Sequence, residues 1–130
     1  TKDIDLLGKT DHSIDNLESI FKSVCLIDDH QQDGMVFDEK SVKGHVTQHI
    51  SKYSGIQLNF KSRLGKANIP IRIDIGFSDL IYPQPQVLTY PTILDLPAPV
   101  IQGYTPETVI AEKFETMVKL SLKNSRMKDF

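Results

Sequence analysis

Asp3 and Asp5 stand two residues apart in the opening run Thr1-Lys2-Asp3-Ile4-Asp5-Leu6. On a strand, residues i and i+2 share a face, so both carboxylates point the same way. Asp74 lies on the polar side of a second alternating run, two residues from Arg72. If the two strands pair, three carboxylates converge on one sheet face. That donor set suits a two-Mg²⁺ phosphoryl-transfer site. Hard cations take oxygen ligands, and two ions ~3.5–4 Å apart can hold an attacking oxygen and a phosphate together. By spacing alone, the commoner reading of Asp-x-Asp is a solvated strand end. Arg72 is either a substrate contact or, more simply, a cation that keeps the aspartates ionised.

Other constellations carry less. His45 and His49 are four apart, but the residue after the first histidine is Val46, not the glutamate of a zinc-protease helix. Asp3-Ile4-Asp5 with Gly8 has Leu7 and Ile14 where a calcium loop needs oxygen ligands. Gly8-Lys9-Thr10 ends like a phosphate-binding loop but has no glycine five residues earlier. Cys25 falls on an apolar helical stripe and reads as a small buried hydrophobe. Asp79 reads as a turn former. Lys113 reads as a snorkelling lysine at the edge of a helix core face, and Glu112 and Glu115 as solvated or paired with Lys119.

The elements that must position these groups follow from periodicity. Residues 2–7 alternate as a half-buried strand, with Ile4 and Leu6 opposite Asp3 and Asp5. Residues 13–27 read as a helix capped by Ser13, with Ile14, Leu17, Phe21, Val24 and Cys25 at helical spacing. A polar loop over 28–34 precedes three strand-like stretches, 35–38, about 41–50 and 55–63. In the last, Ile56, Leu58 and Phe60 oppose Gln57, Asn59 and Lys61. After a turn around Gly65, residues 69–77 place Ile69, Ile71, Ile73 and Ile75 on one face and Arg72 and Asp74 on the other. Residues 81–99 contain Pro83, Pro85, Pro91, Pro97 and Pro99, so they should be extended, with short edge strands at most. Thr105, Pro106 and Glu107 open a second helix that should bury Ile110, Phe114, Met117 and Val118 and run to about Leu122, before Asn124-Ser125 breaks it.

The chain has 130 residues, 39% apolar and 25% charged, with 15 basic against 17 acidic residues and a net charge of −2. These values fit one globular domain and exclude a strongly basic nucleic-acid coat protein, though not a local basic groove. A single cysteine permits no internal disulfide and suggests a reducing, cytoplasmic setting. No apolar run approaches the ~20 residues of a membrane span, and no signal peptide opens the chain. Both ends look cut, as in a domain taken from a longer protein.

Four blocks in order, Thr1–Leu6, Ile73–Asp79, Ile110–Glu115 and Asn124–Phe130, together with Leu94-Asp95-Leu96-Pro97-Ala98-Pro99, resemble the AbiE-type nucleotidyltransferase toxins of type IV toxin–antitoxin and abortive-infection systems. The resemblance covers essentially the whole chain. It implies one α+β domain over residues 1–130 with a nucleotidyltransferase fold like that of polymerase β, a mixed sheet flanked by helices, truncated at both ends. It implies that Asp3 and Asp5 bind Mg²⁺ (or Mn²⁺) with Asp74, the carboxylate that activates the acceptor hydroxyl. Lys113 would contact nucleotide phosphates. Arg126, Lys128 and Asp129 match the last motif, with Lys128 and Asp129 as candidate catalytic groups and Arg126, Lys128 and Arg72 as candidate nucleotide contacts. The implied reaction moves a nucleoside monophosphate from a nucleoside triphosphate to RNA, for some relatives the 3′ end of tRNA, or to a protein, and a cognate antitoxin would be a partner. The Gly-Ser pair that precedes Asp-x-Asp in the family and the segment following the last motif are absent from this chain, and Ser78 stands where glycine is common. Two other readings stay open: an idle module that binds nucleotide or a partner, and a structural domain with an acidic patch.

Overall fold

In a computed structural model, residues 4–28, 33–48, 54–77, 81–93 and 95–120 are described. They fall into two compact units, Thr1–Asp79 and Leu80–Phe130, and the architecture is mixed α and β.

The first unit holds β1 (Ile4–Leu7), α1 (Ile14–Cys25), β2 (Met35–Gln48), β3 (Ser54–Leu64) and β4 (Ala67–Gly76). Its four strands form one mixed sheet in the order β1-β4-β3-β2. β1 runs parallel to β4, and the other two pairings are antiparallel. The hairpin between β3 and β4 turns in two residues, because Leu64 pairs with Ala67 and Gly65 takes the left-handed φ of 58° that favours glycine.

Alternation decides which face is buried. Ile73 and Ile75 of β4, Ile56, Leu58 and Phe60 of β3 and Val42 of β2 form the core with Leu17 of α1. Ile14, Phe21 and Cys25 pack around them from the same helix. Burying a side chain of this size stabilises by ~1.5–3 kcal/mol. Ser13 caps α1 as expected, its hydroxyl accepting the Asn16 N–H at 3.3 Å.

α1 also closes the sheet edge. β2 is an outer strand, and the outward N–H of Gly44 donates to Glu18 Oε1 at 3.0 Å. Lys22 Nζ lies 3.1 Å and Lys43 Nζ 3.9 Å from Glu18 Oε2. A helix carboxylate thus satisfies a strand donor that would otherwise invite edge pairing. The helix comes so close that a Cβ at Gly44 would sit 2.9 Å from Ile14 Cγ2.

Two of the expected strand stretches are one. β2 runs through 35–48, with its register to β3 shifting between Asp38 and Lys43. There Ser41 Oγ donates to the Asp38 carbonyl at 2.7 Å and accepts the Lys61 N–H at 2.8 Å. A hydroxyl bridges the gap in the ladder, so the strand continues through the irregularity.

β1 leaves the sheet through Gly8, whose N–H donates to the Gly76 carbonyl at 2.7 Å. A Cβ at Gly8 would stand 2.2 Å from Phe77 Cε1, and that ring also meets His12 at a centroid distance of 4.4 Å.

The second unit pairs β5 (Gln86–Thr89) with β6 (Val100–Gly103) in an antiparallel hairpin and ends in α2 (Pro106–Leu120). The Tyr82–Pro83 bond is cis. β5 lies inside the proline-rich stretch, whereas β6 begins just after Pro99 and was not expected. Thr105 caps α2, its Oγ1 accepting the Thr108 N–H at 3.3 Å while Thr108 Oγ1 donates to the Tyr82 carbonyl. The expected core face of α2 is corrected: Ile110, Phe114 and Val118 are 66%, 63% and 63% exposed, and Met117 is half-buried. The buried side chains at this helix are Thr105 and Thr108, so polar capping at its first turn, not an apolar stripe, anchors it. The helix break expected at Asn124-Ser125 lies outside the described residues.

Two outcomes test these contacts. Gly8→Ala should cost about 1–3 kcal/mol by overpacking, measured by urea unfolding, and Phe77→Leu in the same chain should recover part of the loss. The Gly44 N–H, foremost, and Lys22 hold the Glu18 carboxyl below its ordinary value of 4.5. A depressed folded value contributes stability above pH 4.5, which is lost as pH falls through the folded value. Glu18→Gln should therefore lose about 1 kcal/mol at pH 7, and the difference from wild type should shrink in acid.

Candidate active site

The sheet face turned away from α1 is polar, and one row of it crosses all four strands. Asp5 on β1 pairs with Asp74 on β4, Asp74 with Gln57 on β3, and Gln57 with His45 on β2. Paired residues share a face and neighbouring strands lie about 4.8 Å apart, so the Asp5 and Asp74 carboxylates are next-door neighbours. Hydrogen bonds run along the row. Gln57 Nε2 donates to Asp74 Oδ1 at 2.6 Å, and Gln57 Oε1 lies 3.1 Å from His45 Nε2. Asn59 Nδ2 also donates to Gln57 Oε1, at 3.4 Å.

The next row, two residues along, is Arg72, Asn59 and Lys43, and Lys61 pairs with Pro70 beyond it. With Ser41, these residues line an open depression of about 620 Å³. Lys61 and Arg72 therefore occupy the same face as the carboxylate pair, while the ammonium of Lys43 lies 3.9 Å from Glu18 Oε2. Asp5 and Asp74 offer the oxygen donors that a hard divalent cation takes. Among the described residues, no three His, Cys, Asp or Glu side chains gather into a metal-binding group.

The expected site residues divide three ways. Asp5, Asp74 and Arg72 share the open face of the first unit. Lys113 is an exposed residue of α2 in the second unit. Asp3, Arg126, Lys128 and Asp129, with His49 and Asp79, lie outside the described residues. His45 sits on a strand, so helical spacing to His49 does not apply to it. Glu115 pairs with Lys119 as expected. Cys25 is half-buried beside the core, and burial first, then the charges of Glu39 and Asp38, push its thiol above the ordinary value. That disfavours the nucleophilic thiolate.

Sequence reasoning gave Gln57 no role and weighed His45 only as a zinc ligand. The available signal was parity. Gln57 alternates with the core residues Ile56 and Leu58, so it had to share a face with whatever polar residues its neighbouring strands present.

The family model for the AbiEii nucleotidyl transferase toxin of type IV toxin–antitoxin systems matches residues 1–130. No curated protein and no solved structure matches the chain.

Like charges directly opposite on adjacent strands are destabilising. In metal-free buffer Asp5→Asn should therefore raise stability by about 0.5 kcal/mol, read from thermal melts. An unchanged or lowered melting temperature would show that the two carboxylates do not feel one another.

Proposed function

Because the chain belongs to the AbiEii nucleotidyl transferase toxin family of type IV toxin–antitoxin systems, we propose that it transfers a nucleoside monophosphate from a nucleoside triphosphate to an acceptor, using Mg²⁺ or Mn²⁺. The observation that carries this reading is the parallel register that sets Asp5 beside Asp74. A mixed sheet that includes β1, with α1 packed on one face, supports a nucleotidyltransferase fold, with the carboxylates on the face that α1 leaves open.

Asp5 and Asp74 would hold the metal, with Asp3, two residues before Asp5 in the sequence, as a proposed third ligand. Mg²⁺ bound there would offset triphosphate charge and polarise the α-phosphate. Asp74 is the base: Gln57 engages its Oδ1, and we assign the acceptor's proton to Oδ2. The acceptor oxygen forms a bond to the α-phosphorus, the bond between α-phosphorus and bridging oxygen breaks, and pyrophosphate leaves. Lys61 and Arg72 give an anionic substrate an electrostatic reason to lie on this face. Lys113, Arg126 and Lys128 are proposed nucleotide contacts, and Lys128 and Asp129 proposed catalytic groups. RNA, including the tRNA 3′ end, is the proposed acceptor, with a protein acceptor as the alternative outcome. A cognate antitoxin is the proposed partner and the cytoplasm the proposed setting. No helix among the described residues is long and apolar enough to cross a membrane.

The test incubates the protein with Mg²⁺, each labelled nucleoside triphosphate in turn, and total RNA. Label should enter RNA from a preferred nucleotide and fall by about 10²–10⁴-fold in Asp74→Ala, with a similar loss in Asp5→Ala. Label on protein instead would make the acceptor a polypeptide. Absence of label from a folded protein would overturn the transferase and leave an idle nucleotide- or partner-binding module.

A further inference from the structure

We infer that Gln57 and His45 are positioning residues for Asp74, acting as an ordered chain from the outer strand β2 inward to the reacting carboxylate. The inference rests on the role proposed for Asp74 and deepens it.

The direction of the chain follows from donor and acceptor chemistry. An ionised carboxylate only accepts, so the group that Gln57 presents to Asp74 Oδ1 at 2.6 Å is its amide nitrogen. Its carbonyl oxygen then faces β2, where it can only accept. His45 Nε2, 3.1 Å away, must therefore carry a proton. Asn59 Nδ2 donates to the same oxygen at 3.4 Å and reinforces that orientation. A reversed amide would set oxygen against carboxylate on one side and N–H against N–H on the other.

The backbone makes the arrangement specific. His45, Gln57 and Asp74 occupy successive strands at paired positions, so no long side-chain reach is needed. Gln57 and Asp74 are half-buried, whereas His45 is exposed at the outer end. The glutamine thus acts directly on the carboxylate rotamer, and the histidine acts only through the glutamine. A partner that orients a metal-binding or reacting carboxylate is worth about 10–100-fold in activity when removed. The cation-lined depression lies beside this row and meets it at Asn59, which lines the depression and donates to Gln57 Oε1.

The experiment is a double-mutant cycle on the transfer reaction, with a nitrogen NMR spectrum of the same proteins. Gln57→Leu should lower kcat by about ten-fold while KM for the nucleotide changes less than about two-fold and the melting temperature stays close to wild type. Substitution His45→Leu should lower kcat by a smaller factor, and adding it to Gln57→Leu should cost nothing further, because its path is already cut. A donor that restores the contact, Gln57→Asn with its shorter reach, should recover only part of the rate. In the ¹⁵N spectrum of neutral His45, wild type should show the tautomer protonated at Nε2, and Gln57→Leu should shift it toward the mixture of a free imidazole.

Unchanged kcat in Gln57→Leu would overturn the inference, as would independent, multiplicative losses in the double mutant. A wild-type protein that transfers nothing would sink the transferase reading by itself. The hydrogen-bonded row would then stand or fall on the ¹⁵N spectrum, where an Nδ1-protonated His45, or a tautomer indifferent to Gln57→Leu, would overturn it.

Discussion

The parallel pairing of β1 with β4 is the constraint on which the rest of the site depends. Side chains alternate with a period of two, so a slip of one residue would turn Asp5 toward the core and bring Ile4 or Leu6 to the open face. Three features resist that slip. Ile4 and Leu6 pair with Ile73 and Ile75, so the apolar sides of both strands match. The Gly8 N–H is tied to the Gly76 carbonyl just past the last pair. Gly8 also passes the Phe77 ring at a distance only a residue without Cβ can reach. The short strand β1, four residues long, is thereby held in one register although it lies at the sheet edge. The mutual repulsion of two neighbouring carboxylates is a small cost against the burial of Ile73 and Ile75, the partners of the more exposed Ile4 and Leu6.

Stability and chemistry occupy opposite faces of the same strands. Ile73 and Ile75 point to α1, and the residue between them, Asp74, points away. Ile56 and Leu58 do the same for Gln57. Every pair of core contacts that fixes a strand therefore also fixes the polar residue lying between them. The edge strand β2 pairs on one side only, and two polar devices support it. Glu18 receives the Gly44 N–H on the outer side, and Ser41 spans the register shift on the inner side. Without them the outer end of the row, His45, would have no defined height relative to Gln57.

Much of this was legible in the sequence because it is local. Alternation located β1 and β4, Ser13 and helical spacing located α1, and Thr105-Pro106 located the start of α2. The parity of Asp5 and Asp74 was legible too, but their adjacency was conditional on a pairing that periodicity cannot decide. The register shift in β2 was not legible, because it rests on a hydroxyl bridging two strands. Its trace is a change of phase. Phe37 and, past the shift, Val42 both lie on the α1 side although five residues separate them. The Gln57–His45 link needed both registers at once, so no single stretch could show it. The α2 stripe failed for another reason: helical periodicity marks a face that can be buried, and burial requires a covering layer that residues on one helix cannot specify.

The charge pattern of the open face has a direction. Along β4 it runs from Asp74 to Arg72, along β3 from Gln57 through Asn59 to Lys61, and along β2 from His45 to Lys43. Successive rows are about 7 Å apart at two residues per step, within the ~8 Å Debye length of physiological salt. Each row therefore feels its neighbour. A polyanion drawn to the cations would meet the carboxylates as a repulsive boundary unless a divalent cation intervened. On the function proposed here, that boundary makes metal and phosphate mutually dependent. The carboxylates would bind little phosphate without the metal, and a bound metal would gain further ligands from the phosphate. The sheet would supply this coupling by placing Asp74 and Arg72 two residues apart on one strand.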